Sequence, residues 1–326
     1  MTNLRVILLF AVGAGITLQL VEANTYTGRR EQMMRHVLQA DGFIAALDQS
    51  GGSTPKALNL YGFPAEKYVV GEDSMFDAVH QMRTRIILSP AFTGDRVFGA
   101  ILFEDTMKRT INDQPVAEFL WKQKGIVPFL TIDQGLMEEE NGVQLMKPIP
   151  NLDALLQACD QYGIFGTKMR SLILSSNADG IKAVVEQQFK IGRKVASAGL
   201  VPIIEPEVSI NSPSKQQCEE ILKAELLRHL DYLQDDEIVI LKVSLPNRPD
   251  FYKECIDHPR CLRVVALSGG YSREDAILLL SQQPKMAASF SRALTEGLEY
   301  LSSDEDFDRT LDRSIREICM SSNIAR

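Results

Sequence analysis

LVPIIEPE (residues 200–207) and EIVILKVS (residues 237–244) are short apolar runs that end on charge, with Glu205 and Glu207 in the first and Lys242 in the second. Each is brief and rich in β-branched residues, as a strand buried on both faces requires. Six more runs of this kind follow the same pattern: GFIAALD (42–48), VFGAILFE (97–104), IVPFLTID (126–133), IFGTKMR (164–170), RVVALSGG (263–270) and MAASFSR (286–292). Amphipathic segments fill most of the gaps. Between the fourth and fifth runs, Ile181, Val184, Val185, Phe189 and Val195 share one helical face that stops at Gly199. After the eighth, Phe307, Leu311, Ile315 and Cys319 form a stripe behind a cap at Ser303 or Asp304. Strand and helix alternating eight times predict an α/β fold, a parallel (β/α)8 TIM barrel. A doubly wound sheet is the alternative, but its Gly-rich nucleotide turn after the first strand is only weakly matched by GFIAALDQSGGS.

The barrel domain is expected over residues 29–326, behind a hydrophobic leader at 1–28. VILLFAVGAGITLQLV (6–21) is uncharged, follows Arg5 and leads into Val21-Glu22-Ala23, a small-residue pattern like that of signal-peptide cleavage. It is short for a membrane span, which takes about 20 residues. A targeting segment is the expectation, and an extra helix packed on the domain the alternative.

Composition narrows the function. With 35 basic against 43 acidic residues the formal charge is −8, which leaves no basic field for nucleic acid or anionic lipid. The five cysteines (Cys159, Cys218, Cys255, Cys261, Cys319) form no C-x-x-C pair in a chain too long to need disulfide staples, so they read as reduced thiols of an intracellular fold. Of the histidines, only His258 falls near cysteines, between Cys255 and Cys261. Three ligands in a polar stretch beside Pro259 read as a solvated loop rather than a zinc site.

Charges close almost every run. Asp48, Glu104, Asp133, Lys168 with Arg170, Glu205 with Glu207, Lys242, Ser268 and Arg292 stand at or just past the C-terminal ends, which in a barrel converge on one mouth. Side chains two apart on a strand share a face, so Lys168 and Arg170 project together, as do Glu205 and Glu207 around Pro206. Lys242 follows four apolar residues. Desolvation beside a second cation favours the neutral form of a lysine, which can attack a carbonyl, whereas a buried ion pair with Glu205 or Glu207 is the structural alternative. Two loops are suited to anions: Ser268-Gly269-Gly270 together with Ser291-Arg292, and Asp48-Gln49-Ser50-Gly51-Gly52-Ser53 with Lys56. Two such loops around a lysine-bearing cavity suggest a substrate phosphorylated at both ends.

ALDQSGGSTPK, FGTKMRS, VPIIEPE, ILKVS, LSGGYSRE and SFSRAL, in this order, resemble the signature stretches of class I fructose-1,6-bisphosphate aldolase, most closely its shorter bacterial-type branch. Transaldolase and deoxyribose-phosphate aldolase also carry a barrel lysine, but neither resemblance brings the E-P-E and L-S-G-G stretches together.

The resemblance implies reversible cleavage of fructose 1,6-bisphosphate into dihydroxyacetone phosphate and glyceraldehyde 3-phosphate, through a covalent lysine Schiff base, with no metal and no other cofactor. Lys242 matches the Schiff-base lysine, and Glu205 the acid and base that dehydrates the carbinolamine, with Glu207 as its charge partner. Asp48 matches the carboxylate that takes the C4 hydroxyl proton, and Lys168 the cation that steadies developing negative charge. Ser268, Gly269, Gly270 and Arg292 match the C1-phosphate site, while Ser50, Ser53, Lys56 and Arg170 fall where the C6 end and sugar hydroxyls are held. The resemblance further implies a cytoplasmic homo-oligomer with phosphorylated sugars as partners, no nucleic acid and no membrane embedding, although the leader raises an organelle or export route instead. Two departures stand out. Thr131 occupies a position that is lysine in many members, so a charge-assisted contact to the far phosphate is missing and tolerance of fructose 1-phosphate is expected. The final residues Ser321 to Arg326 include no tyrosine, which the longer animal-type branch uses in proton exchange at C3. A catalytically weak barrel acting as a binding or scaffold protein is the alternative to the enzyme.

Overall fold

A computed structural model describes residues 7–12, 15–20, 28–49 and 52–322 of the chain. Eight parallel strands stand side by side in sequence order: β1 Phe43–Ala46, β2 Val97–Leu102, β3 Val127–Thr131, β4 Gly166–Ile173, β5 Val201–Val208, β6 Val239–Ser244, β7 Cys261–Leu267 and β8 Ala287–Ala288. Ala46 N donates to Phe290 O at 3.0 Å, joining the end of the eighth strand to the first, and the sheet becomes a barrel. Each expected run carries one of these strands. The eighth is shorter than its sequence suggests because beyond Ala288 its backbone bonds singly, Ser289 N to Ala266 O on one side and Phe290 O to Ala46 N on the other.

Helix α1 Gly28–Gln39 lies across one end, and α2 Thr54–Leu60, α3 Asp73–Leu88, α4 Leu152–Gln161, α5 Ala178–Ser197, α6 Lys215–Asp231, α7 Arg273–Leu280 and α8 Asp304–Ser321 wrap the outside. The five positions Ile181, Val184, Val185, Phe189 and Val195 are buried on α5, whose cap is Asn177, accepting from Gly180 N. In α8 the cap is Ser303, accepting from Asp306 N. Phe307, Leu311 and Ile315 are buried as the spacing predicts, and Ile318 rather than the half-buried Cys319 completes the stripe. Cys255 and Cys261 are buried, while His258 is engaged at both ring nitrogens, by Asp231 and by Arg260 N.

The leader departs from its packed-helix alternative. Ile7–Val12 and Gly15–Leu20 pair antiparallel as a separate two-stranded sheet. Glycines at 13 and 15 interrupt the apolar run, and glycine weakens a helix interior. The cleavage-like Val21-Glu22-Ala23 lies outside the described residues. Among the described residues no helix is long and apolar enough to cross a membrane.

Two apolar layers hold the barrel. The outer one packs strands against helices, and the inner one fills the lumen with Ile44, Phe98, Phe129, Phe165, Ile203, Ile240 and Val265. Met33, Met34 and Val37 of α1 join this inner layer, so α1 stops the end of the barrel where the strands begin. The carbonyls at the end of α1 need donors. Arg263 of β7, lying over the Phe98 ring, supplies them through Nε to Val37 O and Nη2 to Ala40 O, both at 2.7 Å. Inward-facing side chains therefore change from apolar to charged on the way up: Ala46 gives way to Asp48, Phe129 to Thr131, Ile203 to Glu205 and Ile240 to Lys242.

Phe129 fits because Gly99 and Gly166 leave room for its ring. A Cβ on Gly166 would stand 3.0 Å from that ring and 2.2 Å from Val201 O. Gly166→Ala should therefore force strand β4 away from β5 and lower the unfolding free energy by about 3 kcal/mol. Urea denaturation measures it; a loss below about 0.5 kcal/mol would mean that the strands do not approach as described.

Candidate active site

Above the apolar plug lies a cleft of about 660 Å³, lined by side chains from the C-terminal ends of the strands and the loops that follow. It gathers Asp48, Ser53, Lys56, Lys168, Arg170, Glu205, Glu207, Lys242, Ser268, Gly269 and Arg292. Gly270 sits beside it, its Cβ position 3.3 Å from Arg292 Nη2. Ser50 lies outside the described residues. Glu104 is not brought in: it opens a short helix over Glu104–Met107 and pairs with Lys108 at 2.6 Å.

The centre is a chain of ion pairs. Lys242 Nζ lies 3.0 Å from Glu205 Oε1, and Lys168 Nζ lies 3.2 Å from Glu205 Oε2, so one carboxylate joins two lysines. Lys168 also meets Asp48 Oδ2 at 2.7 Å and Asp133 Oδ2 at 3.8 Å. Glu207 turns away from the lysines and pairs with Arg170 Nε at 2.5 Å. The ion-pair alternative for Lys242 thus has Glu205, not Glu207, as its partner. Lys168, Glu205 and Lys242 are each at most 5% exposed.

Burial and charge act against each other here. Burial works against the charge on Lys168, but Asp48, Glu205 and Asp133 outweigh it and raise the pKa above the ordinary lysine value. Burial would push the Asp48 carboxyl up. The charges on Lys168 and Lys242, with hydrogen bonds from Lys168 and Thr131, hold it well below the usual carboxylate range. Lys168 thus stays cationic and Asp48 anionic at neutral pH, while Glu205 touches both the fixed cation and Lys242. An amine, a carboxylate at hydrogen-bond distance from it and a neighbouring fixed cation can perform nucleophilic addition with proton exchange.

Several contributors were not foreseen. Thr131 donates to Asp48 Oδ2 at 2.7 Å, a role the sequence does not show because its side chain is short and its partner is 83 residues away. Gln188, buried on α5, accepts from Glu205 N at 2.8 Å. Ser244 bonds both the N–H and the carbonyl of Val208, at 2.9 and 2.6 Å. It ties the tops of β5 and β6 together where their ladder, in register at Ile203 with Ile240 and Ile204 with Leu241, has ended. Only polar residues at strand ends gave a signal; these contacts depend on positions in neighbouring elements.

Residues 40–248 match the family model for fructose-bisphosphate aldolase class-I. The chain is 53% identical over 292 residues to fructose-bisphosphate aldolase class 1 of Porphyromonas gingivalis, covering 90% of this chain and 99% of that one. To the protein of the same name in a Synechocystis species it is 52% identical over 292 residues, covering 90% and 97%. The barrel is similar to that of fructose-bisphosphate aldolase from Plasmodium falciparum, solved in complex with TRAP and a small-molecule inhibitor, with a TM-score of 0.71 at 19% identity over 92% of this chain and 96% of that one.

The depressed carboxyl of Asp48 gives a pH signature. Its stabilising contribution is complete above the unfolded-state value of about 4 and is lost as pH falls through the native one. Lys168→Met leaves three carboxylates without their shared cation, so chemical denaturation at neutral pH should show a deficit of about 3 kcal/mol against the parent chain. The deficit should narrow below about pH 4, where protonation relieves the crowding. A deficit that does not change on acidification would mean that the carboxylates do not depend on Lys168.

Proposed function

The chain belongs to the class I fructose-bisphosphate aldolase family, and from this premise we propose that its cleft cleaves fructose 1,6-bisphosphate reversibly to dihydroxyacetone phosphate and glyceraldehyde 3-phosphate, with Lys242 as the Schiff-base nucleophile. The observation that carries this reading is the placement of Lys242 Nζ at the foot of the cleft, 3.0 Å from a carboxylate that a second lysine also holds.

Lys242 Nζ adds to the C2 carbonyl, whose oxygen takes up a proton to give a carbinolamine. Glu205 protonates the departing hydroxyl, water leaves and a cationic iminium forms. Asp48 then accepts the C4 hydroxyl proton. The C3–C4 bonding electrons move into the iminium, yielding glyceraldehyde 3-phosphate and an enamine. Protonation at C3 and hydrolysis release dihydroxyacetone phosphate and restore the amine. The iminium itself is the electron sink, so the sequence of steps uses no metal. Lys168 stabilises negative charge that develops near Asp48 and Glu205. Ser268, Gly269, Gly270 and Arg292 hold the C1 phosphate, and Ser50, Ser53, Lys56 and Arg170 the C6 end, with Arg170 aligned by Glu207. A scaffold protein would gain nothing from so many desolvated charges, each of which carries a solvation penalty.

Borohydride added with dihydroxyacetone phosphate should trap a covalent adduct on Lys242, and turnover should persist in a chelator. Lys242→Met should abolish the adduct and lower kcat at least about 10⁴-fold. Adduct formation at another lysine, or turnover retained by the variant, would overturn the proposal. At position 131, Thr131→Lys should raise kcat/KM for fructose 1,6-bisphosphate over fructose 1-phosphate, since it introduces a charge-assisted phosphate contact. An unchanged ratio would remove Thr131 from the account of substrate preference.

A further inference from the structure

Arg83 lies on α3, outside the barrel, and is wholly buried. The partners its donors reach are neutral: Nη1 donates to Thr106 Oγ1 at 2.5 Å, and Nη2 to Gln49 O at 2.7 Å and Gln49 Oε1 at 3.2 Å. Its Nε finds no partner among the described residues. A guanidinium enclosed this way is expensive to bury, and burial lowers its pKa to about 10, which still leaves it charged at neutral pH.

What it orders is Gln49, the residue directly after Asp48. Arginine has donors only, so the amide oxygen of Gln49 must face Arg83 and its NH₂ must face the other way. There Gln49 Nε2 donates to Ser291 Oγ at 2.8 Å, and Ser291 directly precedes Arg292. A continuous set of hydrogen bonds thus runs from α3 through the loop after β1 to the loop after β8, crossing the seam where the barrel closes.

We propose that Arg83 is a positioning residue: by fixing Gln49 it holds the loop after β1 in register with Ser291 and so sets the spacing between the two phosphate-holding ends of the cleft. This inference rests on the reading that Ser53 and Lys56 serve one phosphate and Arg292 the other. A doubly phosphorylated substrate must satisfy both ends at once, whereas a singly phosphorylated one tolerates a change in their spacing.

The test compares kcat and KM for fructose 1,6-bisphosphate and fructose 1-phosphate in the parent chain, Arg83→Met, Gln49→Leu and the double variant. Arg83→Met should raise KM for the bisphosphate about tenfold and change that for the monophosphate by less than about twofold. Gln49→Leu, at a half-buried site that threatens folding less, should reproduce the split, and the double variant should be no worse than either alone, because both break the same connection. Where Arg83→Met does not fold, the Gln49→Leu ratio decides. Equal losses on both substrates, additive losses, or an unchanged ratio would overturn the proposal. Failure of the underlying reading has a different signature: a parent chain that does not distinguish the two substrates, or that forms no adduct on Lys242.

Discussion

Lys168 offers one ammonium to three carboxylates, those of Asp48 and Asp133, just past the ends of β1 and β3, and that of Glu205 on β5. Without that cation the acids would repel one another just above the apolar layer that fills the barrel. With it, all three share one counter-charge, and the Asp48 carboxyl is held well below the usual carboxylate range. Asp48 remains an acceptor, and Glu205 is left between a fixed cation and Lys242, the group proposed to exchange protons. The rest of the architecture serves this arrangement. The apolar plug below excludes water and so strengthens every charge interaction above it, and the alternation of strand side chains delivers one layer of charge at one height.

The fold could be read from the sequence because its signals were local. Apolar runs closing on a charge reported strand position, and their repetition reported a barrel. Lys242 and Glu205 were visible for the same reason, as unexpected polar residues at the end of hydrophobic strands. Contacts perpendicular to the chain were not visible. Arg83 resembles any arginine on an amphipathic helix until α3 is packed, and Gln188 is an ordinary polar helix residue until β5 runs beneath it. The role of Thr131 was legible only as the lack of a lysine, and the hydroxyl's own bond to Asp48 needed β1 and β3 in place. Glu207 lines the cleft, but its partner, Arg170, comes from the adjacent strand two residues below it in register, level with Glu205, a diagonal contact that the sequence does not show.

Substrate contact and framework divide along the strand ends. Lys168, Glu205 and Lys242 sit on strands, where register fixes them to their neighbours, whereas Ser268, Gly269 and Gly270, proposed to hold a phosphate, follow the end of β7 in a glycine-containing loop. Gly269 and Gly270 both adopt positive φ, +59° and +116°, conformations that allow backbone N–H groups to turn toward an anion at little cost only because no side chain is present. A rigid centre flanked by permissive ends suits a reaction in which covalent bonds change at the middle of the ligand and charges are held at its extremities.

The stopper formed by α1, sealed by the Arg263 guanidinium, closes the end of the barrel where the strands begin, opposite the cleft. On the proposed chemistry, one half of the sugar is tethered to Lys242 at the foot of the cleft during turnover while the other is free. The untethered aldehyde is then free to depart once the C3–C4 bond is broken, and the tethered half follows only after water hydrolyses the Schiff base. In the direction of synthesis the queue reverses, with the ketone fragment admitted before its partner. In this proposal the order of traffic is a property of the covalent tether, while the closed floor sets only the side from which both halves come and go.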